Sequence, residues 1–290
     1  MRYPVDDTIR TLLNKHLNDI ESHLQTDFIS FYGPLVDGFV HHLRKVIEDL
    51  FEDKRPPAPR LFFMLTTPGG SATAVDRAVK VLRHFYTEIN FVVPDRAYSA
   101  GTILCMSGDN IYMDYFGVLG PIDPQIPNKD NILIPAQGYL DKVKEFVEKE
   151  DSLSEAEILM LDKIDLADLR FYEQANELTV DLLKRWLVQY KFRNWEKHET
   201  NPEKIGKPVT NEEKIKRAEE IAEKLSNNGI WKAHSRGIDI QTLETELRLK
   251  IVNYGNDPKL LKLFNNYYEL LMDYITKNNA QFYTHTRRFI

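Results

Sequence analysis

The sequence predicts an α/β protein built on a largely parallel sheet, and three observations point there. Short apolar runs alternate with amphipathic helical stretches between Asp27 and Met113, the pattern of strands joined by helical crossovers. Glycine- and proline-rich turns punctuate the strand ends. The 290 residues are 42% hydrophobic and 28% charged, with only 13 Gly and 14 Pro, which excludes collagen-like, low-complexity and mostly disordered chains.

The elements follow in order. Residues 8 to 24 carry Ile9, Leu12, Leu13, Leu17, Ile20 and Leu24 at helical spacing, so an amphipathic helix opens the chain. His16, Asp19 and His23 share one face of it, a spacing open to a metal but also that of an ordinary polar face, and no metal or cofactor is expected. The run from Phe28 to Tyr32 reads as a strand, turned by Gly33-Pro34 into a helix holding Val40, Leu43, Val46, Ile47 and Leu50. After a charged, proline-rich linker, Leu61 to Leu65 is a second strand, and Thr66-Thr67-Pro68-Gly69-Gly70-Ser71 turns it into a helix with Ala74, Ala78, Val81, Leu82 and Phe85. Ile89 to Val93 is the third strand. Ala97-Tyr98-Ser99-Ala100-Gly101-Thr102 then leads into the short apolar helix Ile103 to Met106, and Asp109 to Met113 is another short strand.

Gly117 through Gln125 is too rich in Gly and Pro for regular structure and predicts a shaped loop. Residues 136 to 200 are helical by pattern, with an apolar stripe through Leu169, Tyr172, Leu182, Leu183, Trp186 and Tyr190. Thr210 with Glu213 predicts a capping box opening a helix that ends at Asn227-Asn228-Gly229. A last helix is expected from about Pro258 to Thr276.

The formal net charge of −6 supplies no basic field for phosphates, so nucleic acid is not an expected partner. No stretch of about 18 apolar residues is present and residues 1 to 7 lack a signal-peptide core. The lone cysteine, Cys105, lies in an apolar run and allows no internal disulfide, and a cytoplasmic location is expected.

Two turns could carry chemistry. Gly69-Gly70 supplies positive φ at a strand end, but it would also let backbone N–H groups approach a developing oxyanion. Ser99 could be a plain N-cap, yet small residues on both sides place it at a strand-to-helix turn with the steric logic of a nucleophile elbow. The two lie on consecutive strand ends of one sheet, where such folds gather their sites. His84 ends a helix and is expected to complement its dipole. Asp123 reads as a local turn residue.

At these residues the sequence resembles the serine dehydrogenase proteinase branch of the Clp protease/crotonase superfamily, which is also similar to signal peptide peptidase A. Thr67-Pro68-Gly69-Gly70 looks like the oxyanion turn, Ala97 to Thr102 like the nucleophile motif, and Leu119-Gly120-Pro121-Ile122-Asp123-Pro124-Gln125 like the signature loop. Gly229 to His234 and Leu249 to Val252 resemble the segment that closes the core. The resemblance covers roughly 27–135 and 212–252 and implies a spiral of β-β-α units; with the helices read above, the expected organisation is an N-terminal helical arm over 1–26, a Clp/crotonase-like catalytic domain over 27–252 with a helical insert at about 150–210, and a C-terminal helical tail over 253–290. His234 falls where relatives often carry histidine, in a place that the broader superfamily uses structurally.

It also implies a serine hydrolase, most naturally a peptidase acting on protein or peptide substrates, and a homo-oligomer. Ser99 would be the nucleophile, and Gly69, Gly70 and Ala100 would form the oxyanion hole. Classical Clp proteases carry a histidine in the loop that here reads Gly120-Pro121-Ile122-Asp123, so the implied base is a lysine. Lys142 and Lys144 both lie about 100° from the apolar stripe of the helix 136–149 at 3.6 residues per turn, so geometry does not choose between them. The resemblance prefers Lys142. The alternative is a non-catalytic scaffold that binds protein partners through its helices, and a third reading, crotonase-like thioester chemistry, would not need Ser99.

Overall fold

A largely apolar run defines each main strand of the structure, a computed structural model that describes residues 4–52, 59–127, 133–149, 152–162, 165–198 and 203–289. The strands are β1 (Asp27–Tyr32), β2 (Arg60–Thr66), β3 (Glu88–Val93) and, after the short β4 (Arg96–Ala97), β5 (Asn110–Met113). They lie side by side in parallel register, as Phe28 opposite Phe62 and Phe91 opposite Ile111 show. The period of two along a strand divides their side chains between the faces. Ile29, Phe31, Leu61, Phe63, Leu65, Phe91 and Val93 enter one core, while Phe28, Phe62, Met64 and Val92 enter the other.

The first core is covered by α2 (Asp37–Phe51), α3 (Ala72–Phe85) and α4 (Ala100–Met106). Their valines, leucines and alanines recur every three or four residues and face the sheet. Each main strand is followed by a short extension that builds a second ladder: Leu35 bridges Gly70, Thr67 bridges Ala97, and β4 pairs in parallel with β6 (Val118–Leu119). A long strand, a short strand and a helix thus repeat, giving the expected spiral of β-β-α units.

Between this spiral and its closing segment come a small antiparallel pair, β7 (Gln125–Pro127) and β8 (Leu133–Pro135), and then helices. The stretch 136–200, helical by pattern with a first helix expected over 136–149, holds α5 (Ala136–Val147), α6 (Glu155–Leu161) and α7 (Leu166–Trp186), the last running into a π-turn at Leu187–Lys191. Ser154 and Asp165 cap α6 and α7 through their side chains, which explains the breaks: each satisfies backbone donors that a continuous helix would not expose. Leu182, Leu183, Trp186 and Leu187 sink into the first core. The end of this arm is tied to the sheet by Asp109, whose carboxylate meets Arg83 at 2.8 Å and also Arg193, while the Arg83 guanidinium stacks over the Tyr190 ring at 3.8 Å.

The capping box at Thr210 and Glu213 is formed in both halves and opens α8 (Asn211–Ser226). After α9 (Asn228–Trp231) and α10 (Ile240–Thr245), β9 (Val252–Asn253) joins the sheet beside β5. The second core is closed by the two ends of the chain. α1 (Pro4–Leu24) and α11 (Pro258–Lys277) lay Leu13, Leu17, Ile20, Phe264, Tyr267 and Leu271 against the even-numbered residues of the strands.

Several short strands have no counterpart in the sequence reading: β4, β7 and β8, the β6 pair of residues inside the stretch expected to lack regular structure, and a strand at the sheet edge. β10 (Tyr283–His285) pairs antiparallel with β1 at the sheet edge. Its three residues are too few to show a period, and it is held by tertiary contacts: Arg287 just beyond it meets Asp27 at 2.6 Å and Glu21 at 3.1 Å.

Candidate active site

Gly70 has φ +153, and a Cβ there would lie 2.2 Å from the Leu35 carbonyl oxygen, so only glycine allows the second ladder to form. The turn is closed by Leu35 N–H donating to Gly69 O and Ser71 N–H donating to Leu35 O, both at 2.8 Å. Gly69 N–H donates to Thr67 Oγ1 at 3.0 Å, so it is already spent on the turn. Gly69 serves by being small: with φ +112, its missing Cβ would stand 3.0 Å from the Ser99 Cβ. Among the described residues, the N–H groups of Gly70 and Ala100 take no part in the backbone bonds that close the turn and open α4.

Ser99 stands at the N-cap position of α4 but makes no side-chain cap bond, and its backbone has φ 50 and ψ −114. That conformation costs a non-glycine residue roughly 1–3 kcal/mol and persists only where neighbours impose it. Two of them do. A Cβ on Gly101 would fall 2.4 Å from Thr67 Cγ2, so the missing side chain lets α4 press against the end of β2. Thr102, fully buried, accepts from Gly120 N–H (2.9 Å) and holds its one hydroxyl proton within reach of Ala97 O (2.9 Å) and Gly120 O (2.8 Å). Ser99 is therefore no plain cap: it sits on a strained strand-to-helix turn, the geometry of the elbow that its small neighbours suggested.

Through Thr102 the elbow is joined to the loop 117–125, and that loop is joined to the closing segment. Leu119 and Ile238 exchange backbone bonds of 3.0 and 2.8 Å, and Ile122 N–H donates to Leu225 O at 3.0 Å. These ties set Asp123, which is fully buried, against His234: Asp123 Oδ1 accepts from His234 Nδ1 at 2.8 Å. Gln125 Nε2 reaches the other oxygen at 3.4 Å. A carboxylate can only accept, so Nδ1 is the donating nitrogen of this pair.

Ser99, Ala100, Gly70 and His234 line one cavity of about 670 Å³. Its floor comes from α4 and the loop, with Ile103, Ile122, Pro124 and Gln125; its outer wall is α7, with Phe171, Gln174, Ala175, Leu178 and Thr179. The sequence reading took Asp123 for a turn residue and His234 for a structural one, and the structure joins them across 111 residues. Both stand within the stretches that carry the family resemblance, and that was the signal available.

The structure does not bring Lys142 to this cavity. Its ammonium pairs with both carboxylate oxygens of Glu145 at 2.9 Å, lies 4.8 Å from the Phe146 ring, and its side chain is half exposed. Lys144 is more exposed still and faces Glu148 at 3.7 Å. Cys105 offers no rival nucleophile, since it is fully buried on α4 and burial pushes its thiol up. No group of His, Cys, Asp and Glu suited to a metal occurs among the described residues, the His16, Asp19 and His23 face included. Among the same residues no helix is long and apolar enough to cross a membrane.

Known proteins are similar to parts of this chain. An uncharacterized protein of Methanocaldococcus jannaschii is 32% identical over 124 residues, 41% of this chain and 42% of its own length. The ATP-dependent Clp protease proteolytic subunit of Streptococcus suis is 31% identical over 91 residues, 31% of this chain and 45% of its own. The chain thus spans less than half the length of these curated relatives. Among solved structures, a membrane-bound stomatin-specific protease with a bound substrate peptide superposes with a TM-score of 0.46 at 15% identity, covering 81% of this chain and 75% of that one. The family model of ClpP-like SDH-type serine proteinases matches residues 54–217, more than half of the sequence and the whole of both turns, and the chain belongs to that family.

Proposed function

We propose that the protein is a serine peptidase in which Ser99 is the nucleophile, His234 the general base and acid, and Asp123 the residue that orients it. The observation that carries this reading is the 2.8 Å bond from His234 Nδ1 to the buried Asp123, made by a histidine that lines the same cavity as Ser99. That bond fixes the tautomer and leaves Nε2 to accept a proton, the division of labour of a Ser-His-Asp triad in a different chain order.

In this scheme Ser99 Oγ bonds to the peptide carbonyl carbon, its proton passes to His234 Nε2, and the carbonyl π pair moves to oxygen. The N–H groups of Gly70 and Ala100 receive that oxyanion, aided by the positive end of α4. Collapse expels the amine, which takes the proton from His234. Water then repeats the sequence on the acyl-enzyme, with His234 again as base and Ser99 as leaving group. The imidazolium formed at each transfer is stabilised by the Asp123 carboxylate.

A fluorophosphonate probe tests the nucleophile. Labelling of the wild type and its loss in Ser99→Ala, with a melting temperature nearly unchanged, is expected. Equal labelling of the two would remove Ser99 from the reading, and an unlabelled wild type would favour the non-catalytic scaffold.

A Ser99–Lys142 dyad is the second reading, and the resemblance favours it. It requires Lys142 to leave Glu145, reach Ser99 and lose its charge on desolvation. Homo-oligomerisation and a cytoplasmic location are likewise proposals, and the oligomer is tested by sedimentation of the purified chain.

A further inference from the structure

We propose that Phe282, in the segment between α11 and β10, is a positioning residue of the oxyanion hole: it braces the strap Gly33–Leu35, which in turn holds the Gly69–Gly70 peptide with its N–H turned to the cavity. This rests on the serine peptidase reading above. The first observation is how that peptide is held. Leu35 N–H donates to Gly69 O and Ser71 N–H donates to Leu35 O, both at 2.8 Å. In a trans peptide the carbonyl and the N–H of the next residue point opposite ways. A Gly69 carbonyl held on the strap therefore sends the Gly70 N–H to the other side, and Gly70 lines the cavity with Ser99 and Ala100. Glycine stands on both sides of this peptide, at φ +112 and +153, and glycine rotates where other residues are barred. The two bonds to Leu35 are what keeps the donor from turning away.

The second observation is what backs the strap. It joins β1 to α2, and Phe282 touches all three parts. Its ring stands 5.4 Å from that of Phe31, near the end of β1, and 4.9 Å from that of His42 on α2, both edge to face. Between them, the missing Cβ of Gly33 would lie 3.2 Å from Phe282 Cα and 3.1 Å from Gln281 O, so tail and strap are in direct contact. The ladder that follows fixes Phe282 in turn, with Tyr283 opposite Tyr32 and Thr284 opposite Phe31. The strap thus meets the tail at Gly33 and the glycine turn at Leu35, which is fully buried. Removing the Phe282 ring frees the strap to shift and the Gly69–Gly70 peptide to turn. The fraction of molecules that present the donor falls, which slows the chemical step and leaves binding in place.

Inactivation by an alkyl fluorophosphonate separates the two, because kinact needs the oxyanion donor while KI reports binding. Phe282→Ala should lower kinact by about tenfold or more, the loss expected when about nine-tenths of the molecules hold the peptide turned away, with KI within about threefold of wild type. Phe282→Tyr, which keeps the ring, should restore the rate. Phe282→Leu, which keeps part of the volume, should fall between the two and serves if the alanine variant does not fold. Phe289→Ala is the control: its ring stands 5.0 Å from the same His42, further along the tail, and kinact should stay within about threefold of wild type. Amide hydrogen exchange at Leu35 should quicken by about tenfold in Phe282→Ala while the amides of β2 and β3 stay protected. An unchanged kinact in the Phe282 variants, an equal fall in Phe289→Ala, or a fall with Leu35 exchange unmoved overturns the brace and leaves the serine nucleophile standing. A wild type that does not react with the fluorophosphonate overturns the peptidase reading, and the positioning role with it.

Discussion

Asp123 holds His234 by a 2.8 Å bond between its buried Oδ1 and Nδ1, and the two are 111 residues apart in the chain. Asp123→Asn keeps the volume but removes the negative charge and turns part of the acceptor into a donor, so Nδ1 no longer holds its proton by preference. Peptide turnover should fall on the order of 10³–10⁴-fold, the scale of losing the orienting carboxylate of a triad, while fold and fluorescence spectrum stay native. Turnover within about threefold of wild type would make the pair a structural tie.

His234→Ala and Lys142→Met separate the two candidate bases. The Lys142–Glu145 pair is exposed, and such pairs contribute about 0–1 kcal/mol, so Lys142→Met should alter neither melting temperature nor turnover noticeably. His234→Ala should cost about 10³-fold or more in turnover. The opposite outcome, loss with Lys142→Met and survival of His234→Ala, would establish the dyad and would mean that α5 moves toward Ser99 on substrate binding.

The parts of the molecule legible in the sequence are those governed by local chemistry. Continuous apolar runs mark β1, β2 and β3 because both their faces are buried, and the Thr210–Glu213 box marks the start of α8 because its reciprocal bonds involve only four residues. Ser99 and Gly70 are visible because each needs small neighbours: Cβ groups at 69, 70 and 101 would strike Ser99, Leu35 and Thr67. Asp123 and His234 were read as structural because their meeting depends on the Leu119–Ile238 bridge and the Ile122–Leu225 bond, which no spacing encodes. β10 was missed for the same reason.

Thr102 is a positioning residue for the elbow, and its hydroxyl is the test. The Oγ1 atom accepts from Gly120 N–H and holds its one proton between Ala97 O and Gly120 O in a fully buried site. Thr102→Val preserves shape and strands the Gly120 N–H and the carbonyl that takes the hydroxyl proton, each stranded group costing about 1–3 kcal/mol. A fall in stability of about 2–4 kcal/mol is expected by urea denaturation. At temperatures where the variant is still folded, turnover should fall more than substrate affinity, because the loop that carries Asp123 is no longer pinned to the helix that carries Ser99. A variant as stable as wild type, with unchanged turnover, would show that these bonds are dispensable to the elbow.

His285 couples the two ends of the chain to pH. Its Nε2 meets Asn14 Oδ1 at 3.0 Å and its Nδ1 meets the Tyr267 hydroxyl at 2.8 Å, so Nε2 donates to α1 and Nδ1 accepts from α11. Burial pushes the imidazole down from 6.5 to about 3, because a charged ring there loses hydration and finds no carboxylate. The folded chain therefore stays neutral at this ring while the unfolded chain takes up a proton near pH 6.5. Between about pH 6.5 and 3 the unfolded state binds more protons, and stability must fall as pH falls through that window. His42, also lowered by burial, adds a slope of the same sign, so the measurement is a difference. Urea midpoints at pH 7, 5.5 and 4.5 should drop more steeply for wild type than for His285→Gln, which cannot take up the proton. Parallel curves for the two proteins would show that the ring at the junction of α1, α11 and β10 charges without cost, and the clasp between the chain ends would then not be a source of acid sensitivity.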